Sequence, residues 1–316
     1  MNQTVIDLEV EIEHEGERLD KYLALIYPDQ SRSYFQKIIK DGNVTIDGKA
    51  LKASYRMSEG DIVTVVQPEA KSIEILAEDI PLDILYEDRD LLVVNKPKNM
   101  VVHPSAGHYS GTLVNAIMYH CKDDLSGING SIRPGIVHRI DKDTTGSLII
   151  CKNDHSHVHI AEQIKNHSCN RKYLGIVIGN LKEDIGTIEG AIGRDPKDRK
   201  KMAINEQNGK PAITHYRVLE RFGNYTYVEF TLETGRTHQI RVHLASIGHP
   251  LLGDEIYGGK NAGGKFHLQG QTLHAYCLTF IHPTSGETIH VEAPLPEYFE
   301  KLLKNLRLQS VQAPQD

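Results

Sequence analysis

The apolar residues of this chain fall in short runs separated by turn residues, which restricts it to short elements packed in layers. Purely apolar runs such as Leu91 to Val94 and Leu148 to Cys151 fall far short of the roughly 20 residues that a membrane-spanning helix needs. Short apolar and β-rich stretches predict strands at Leu91 to Asn95, Ser147 to Lys152, Tyr173 to Gly179, Thr187 to Ile192, Thr214 to Arg221, Tyr225 to Leu232, Leu273 to Ile281 and Thr288 to Val291. A helix is predicted from Thr112 to His120. Several strands follow one another through turns as short as Phe222-Gly223-Asn224, which favours antiparallel pairing within an α+β fold. At 316 residues and 39% hydrophobic content the chain is too long for one compact core, so two domains are expected.

The N-terminal part has its own pattern. Residues 5 to 15 alternate Glu9, Glu11, Glu13 and Glu15 with Val10, Ile12 and His14, an acidic arm or edge strand assigned to residues 1–14. Leu19, Tyr22, Leu23 and Ile26 then mark one face of a helix. A second helix follows Pro28, with Ser31 or Ser33 as N-cap and Phe35, Ile38 and Ile39 as its apolar face. Asp41-Gly42 stops it, and short strands follow at Val44, Ile46 and Ile62 to Val66. Between Ser31 and Arg56 the bases Arg32, Lys37, Lys40, Lys49, Lys52 and Arg56 face only Asp41 and Asp47. Charge alone fits an RNA-contacting surface and a solvated helix face equally well. Residues 76–81 read as a linker, within an aperiodic stretch from Pro68 to Pro81.

The net charge of −6 speaks against a nucleic-acid binder until it is located. Residues 1–17 hold six acids and no Lys or Arg, so they carry the whole excess and leave a neutral body. The four cysteines include no C-x-x-C pair, which argues against zinc or redox chemistry and for reduced thiols. Nothing at the start of the chain resembles a secretory or transit signal, so a cytoplasmic location is expected.

The segment from Arg133 to Gly146 sets Asp141 in a loop between two apolar runs, where it could meet a substrate or merely cap a turn. Asp141, Asp143 and Thr145 also fit the D-x-D-x-T pattern of magnesium-dependent phosphoaspartyl phosphotransferases. That chemistry needs an uninterrupted strand and a later acidic pair; His138-Arg139 breaks the strand, and the Gly253 to Gly258 segment offers glycine where the second acid should stand. His155, His157 and His159 cannot all face one ion from a single helix. Arg194, Lys197, Arg199, Lys200 and Lys201 outnumber Asp195 and Asp198, as in a solvated or phosphate-contacting loop.

His138-Arg139-Ile140-Asp141 with Thr144-Thr145-Gly146 resembles the catalytic motif of the large-subunit rRNA pseudouridine synthases, with Ile140 for the usual Leu and Thr145 for Ser. Similar blocks follow in family order: Asn95-Lys96-Pro97, Val101 to Pro104, Gly111 to Ala116, Arg171-Lys172-Tyr173, Ile192 to Arg194, Thr234 to Leu244 and Gly248 to Pro250. Asn99 stands where glycine is common. Arg18 to Leu23, Ser31 to Ser33, Lys40 to Val44 and Gly60-Asp61 resemble the S4 RNA-binding module, and together these point to the D subtype.

The resemblance implies an S4-like module over residues 15–75 and a catalytic domain over 82–306, with a mixed, largely antiparallel sheet and a central cleft, then a polar tail over 307–316. It implies isomerisation of uridines in a stem-loop of large-subunit rRNA, free or in a subunit precursor, by a monomer needing neither cofactor nor metal. Asp141 would be the catalytic carboxylate, Arg241 its cationic partner and Tyr173 the aromatic that stacks on the uracil. Arg139 would fill the space left by the flipped base, with His138, Arg236, Gln239 and Ile240 beside it. Arg32, Lys37, Lys40, Arg199 and Lys200 would form the RNA-binding surface. Two other readings stay open: an RNA-binding protein without catalysis, and the magnesium phosphotransferase.

Overall fold

The computed structural model describes residues 5–28, 30–66, 75–104, 108–122, 124–128, 130, 133–198 and 201–312. The chain forms two compact units that divide after residue 73.

The first unit contains β1 (Val5–Glu9), α1 (Leu19–Ile26), α2 (Arg32–Lys40), β2 (Val44–Ile46) and β3 (Ile62–Val66). Ser31 caps α2, its hydroxyl accepting from the Tyr34 N–H. Leu19, Leu23, Phe35, Ile38 and Ile39 from the helices pack with Val44, Met57 and Val63 in one core. The sheet runs β1-β3-β2, all antiparallel. This revises the separate acidic arm. β1 pairs with β3 from Val5↔Val66 to Glu9↔Ile62, because the free edge of β3 would otherwise leave its backbone groups without partners in the sheet. The alternation stops at Glu9; Val10 is buried, and Ile12–His14 turn as a 3-10 helix.

The second unit is built on a nine-stranded sheet. Its strands are β4 (Ile84–Glu87), β5 (Leu91–Lys96), β6 (Thr145–Cys151), β7 (Asn170–Ile178), β8 (Ile185–Glu189), β11 (Ile213–Arg221), β12 (Tyr225–Leu232), β13 (Leu273–Ile281) and β14 (Thr288–Glu292). Their order is β4-β5-β6-β13-β7-β12-β11-β8, with β14 also on β13, and only the β6·β13 pair is parallel. The strand expected over Thr187 to Ile192 breaks at Gly190, and β9 (Ile192–Arg194) turns away to pair with β10 (Met202–Ile204). The helices are α3 (Leu113–Cys121), started by a Thr112/Asn115 capping box, α4 (Asp154–Lys165), α5 (Gln239–Ser246) and α6 (Glu297–Gln312).

Two further expectations change. The 76–81 stretch is docked on the second unit: Ile75 is in its core, the Asn115 side chain donates to the Leu76 carbonyl, and Glu78 accepts from the Gly111 N–H. The described part of the polar tail, residues 307–312, continues α6, which buries Leu306 just before it and pairs Arg307 with Glu220. Asn99 adopts φ +64°, a left-handed conformation that asparagine tolerates nearly as glycine does, so the departure from the family pattern is conservative.

Candidate active site

A cavity of about 460 Å³ opens in the second unit. Its walls come from the loop before β6, from β7 and from the start of α5. The loop is held at both ends. Gly146 enters β6 at φ +109° against the backbone of Ala275, where a side chain has no room. Lys96, fully buried at the end of β5, donates to the carbonyls of Pro97 (2.8 Å), Met100 (2.9 Å) and Lys142 (3.0 Å), the last directly after Asp141. Burial pushes the Lys96 ammonium down to about 7, against the pull of Asp143 and Asp141. Three carbonyl acceptors nevertheless suit an ammonium with three protons.

Asp141 lines the cavity with its side chain 17% exposed. Arg241 donates to it from Nη1 at 2.9 Å and grips Asp254 with Nε (2.7 Å) and Nη2 (2.9 Å). Burial of Arg241 works against its charge, but the hydrogen bonds to Asp254 and the fields of Asp141 and Asp254 prevail and raise its pKa. Asp254 also accepts from the N–H groups of Ile256 and Tyr257. Arg241 lies 5.0 Å from the centre of the Tyr257 ring. Tyr257 accepts from the Met202 N–H at 3.0 Å and meets His238 Nδ1 at 2.8 Å. His238 Nε2 stands 3.8 Å from the second oxygen of Asp141. Tyr173, buried on β7, completes the cavity, its hydroxyl pushed up mainly by burial.

The profile of the RNA pseudouridylate synthase family matches residues 90–246, and that of the S4 domain matches residues 17–63. An uncharacterized RNA pseudouridine synthase of Bacillus subtilis, YlyB, is 52% identical over 307 residues, covering 97% of this chain and 99% of its own. The chain belongs to the RNA pseudouridine synthase family. A protein of Zymomonas mobilis named ribosomal large subunit pseudouridine synthase D is 44% identical, over 93% of this chain and 95% of its own. The structure of human RNA pseudouridylate synthase domain containing 1 matches with a TM-score of 0.55 and 28% identity, over 76% of this chain and 98% of that one.

The family blocks therefore bring Asp141, Tyr173 and Arg241 to one cavity, with Arg139 exposed at its edge and Arg236 half-buried, donating from Nε to the Pro211 carbonyl. Ile240 is an apolar wall of the same cavity, packed in the core. Two further residues of the expected site, Gln239 and His138, line the cavity and also brace it internally. Gln239 accepts from the Thr234 hydroxyl and the Arg236 N–H, and donates to the Ile213 carbonyl and the Thr214 hydroxyl, so its amide is fully engaged in starting α5. His138 accepts the Ile149 N–H on Nε2 and is kept neutral, its pKa pushed down to about 3 by burial, so it ties the loop to β6. The phosphotransferase pattern also dissolves: Asp254 gives both oxygens to Arg241, and Thr145 gives its hydroxyl to His274.

In the first unit, Lys37 and Lys40 are exposed on the last turn of α2. Arg32 instead pairs with Asp20, a fully buried carboxylate that also accepts from Arg18 and Gln36. Burial raises the Asp20 pKa, yet these three partners hold it well below the usual range. Arg199 and Lys200 lie outside the described residues. Sequence reasoning misses Asp254, Tyr257 and His238 as site residues. The Gly253 to Gly258 block is a visible signal for Asp254 and Tyr257, but the sequence weighs it only as a missing pair of metal acids, whereas it supplies the partner of an arginine.

Proposed function

We propose that this protein isomerises uridines to pseudouridines in large-subunit rRNA, with Asp141 as the catalytic carboxylate. The observation that carries the reading is the Asp141–Arg241–Asp254 chain at the wall of a cavity shared with Tyr173. A cavity of this volume is in the range of pockets that enclose small ligands, here a single flipped nucleoside. Arg241 orients Asp141 through the Nη1 hydrogen bond, so the carboxylate is placed to attack C1′ or take a ribose proton. Tyr173 supplies the ring on which the uracil stacks. Arg139, exposed two residues before Asp141, inserts its planar guanidinium where the target base had stacked.

The relatives named as large-subunit synthases support rRNA as the substrate class. We assign residues 15–75 to an S4-like RNA-binding role and 82–306 to catalysis, in a cytoplasmic monomer that meets its rRNA free or in a subunit precursor. The deciding experiment incubates the protein and its Asp141→Ala variant with a large-subunit rRNA transcript in EDTA, then maps pseudouridine by chemical modification. Wild type is expected to modify discrete stem-loop uridines and Asp141→Ala none. Product from both, or from neither, refutes the assignment.

A further inference from the structure

Side chains alternate along a strand, so Arg171 and Tyr173 leave β7 on the same face, and both line the cavity. Arg171 is only 4% exposed, and its Nε is buried without a hydrogen-bond partner among the described residues. Arg241, equally buried, has three hydrogen bonds to two carboxylates. Among the described residues no ion pair to Arg171 is formed, although a guanidinium taken out of water needs a compensating anion or a full set of acceptors.

The fold makes room for this group. Gly235 does not adopt a left-handed backbone, yet a Cβ on it would stand 2.8 Å from Arg171 Nη1. The bare backbone of Gly235 thus leaves the guanidinium of Arg171 unobstructed on that side. The other cavity cations sit differently: Arg139 and Lys165 are exposed and Arg236 half-buried, as suits phosphates that stay near solvent. Arg171 lies deeper, on the same face of β7 as Tyr173.

We propose that Arg171 is a catalytic residue that binds the carbonyl oxygens of the uracil as it leaves the ribose. This deepens the reading above and rests on it. When the C1′–N1 bond breaks, both electrons stay with N1, and the uracil becomes an anion whose charge spreads over N1, O2 and O4. If Asp141 has attacked C1′ it is then a neutral ester, so the negative charge has moved from the Arg241 side of the cavity to the base. If Asp141 has instead taken the 2′ proton, it is a neutral acid and the charge has moved in the same way. Arg171 meets that charge with donors already in place, which is where preorganised electrostatics act most strongly. The planar fork also suits a ring that must be retained while it turns. Bond formation from C5 to C1′ then returns the electron pair to Asp141, or its proton to the sugar; the C5 proton then leaves to a base and N1 takes up a proton in exchange through solvent, which restores the ring as an isomer without any redox change.

The test uses the full-length protein and a large-subunit rRNA transcript under single-turnover conditions, with Arg171→Met and Arg171→Lys. Arg171→Met is expected to lower the rate about 10²- to 10³-fold, the usual loss for one preorganised oxyanion donor, while RNA affinity stays unchanged. Arg171→Lys should recover part of the rate. The melting temperature of Arg171→Met should hold or rise, because an uncompensated buried charge has been removed. With 5-fluorouridine at the target position, the fluorine stabilises the ring anion, so the gap between wild type and Arg171→Met in nucleotide consumption should narrow. An unchanged rate overturns the inference, as does a loss confined to RNA affinity, which would make Arg171 a phosphate clamp. A lowered melting temperature with the same gap on the fluorinated substrate also overturns it, in favour of a structural role. Wild type that forms no pseudouridine overturns the underlying reading, an outcome separable from all three.

Discussion

Arg241 and Asp254 form a two-pronged ion pair, Nε to Oδ2 at 2.7 Å and Nη2 to Oδ1 at 2.9 Å, with side chains only 5% and 0% exposed. This fixes the guanidinium so that its remaining Nη1 points at Asp141. Removing one partner of such a pair strands the other charge, so Asp254→Ala should destabilise the protein by about 3–5 kcal/mol and cut activity with it. Asp141→Asn should abolish activity while changing stability far less, because Arg241 keeps Asp254. Urea unfolding beside single-turnover assays separates the two. Equal unfolding midpoints for wild type and Asp254→Ala would show that the pair is no clamp.

Lys96 should give the protein a stability that climbs with alkaline pH. Its folded pKa is depressed to about 7 from an ordinary value of 10.5, so between these limits the unfolded chain binds more protons than the folded one. Stability from this group is therefore present above the unfolded value and lost as pH falls toward 7. Lys98, also pushed down by burial, to about 8, acts in the same direction. The difference in urea midpoint between wild type and Lys96→Met, followed from pH 7 to 10, isolates the first contribution. It should grow in favour of wild type; a flat difference would mean that the three carbonyls hold the ammonium at its ordinary pKa. Lys96→Met should also loosen the Asp141 loop, since the Lys142 carbonyl loses its donor.

The exposed Lys37 and Lys40 of α2 should act on RNA affinity and not on chemistry. Replacing both by Gln should weaken transcript binding and reduce the slope of log affinity against log salt by about 1 for each phosphate no longer neutralised. The single-turnover rate at saturating enzyme should stay at the wild-type value. An unchanged salt slope would leave this helix face merely solvated.

The strands and the Asp141 loop were legible because short β-rich runs and turn residues are local signals, and β5, β6, β7, β12 and β13 begin within a few residues of their expected positions. Arg241 and Tyr173 were legible through the family blocks. Asp254 was harder to read: its role depends on the chain doubling back after α5 to meet an arginine 13 residues earlier, and no periodicity announces that contact. Gln239 and His138 show the converse. Polar residues in a catalytic block look like ligand contacts until the fold shows that backbone groups such as the Ile149 N–H and the Ile213 carbonyl require them. The edge strand β1 was visible as alternation, but its partner β3 lies more than 50 residues away, so pairing could not be inferred from the acidic pattern alone.

His238 should work as a neutral side chain whose backbone is as important as its ring. It precedes α5 at φ +57°, a conformation that asparagine adopts readily and a β-branched residue resists. The Tyr257 hydroxyl already accepts the Met202 N–H, so its own proton is available to His238 Nδ1. That hydrogen bond assigns the ring proton to Nε2, which faces Asp141. Burial lowers the His238 pKa, and the opposing pull of Asp141 does not restore it. Protonation is thus confined to pH below the ordinary value of about 6.5. The wild-type single-turnover rate should contain no step from His238 between pH 6.5 and 8, and His238→Asn should keep the fold with a modest loss of rate. His238→Val should lower the melting temperature through backbone strain. A wild-type profile that falls with a midpoint above 6.5, and loses that fall in His238→Asn, would show that the imidazolium is the working form.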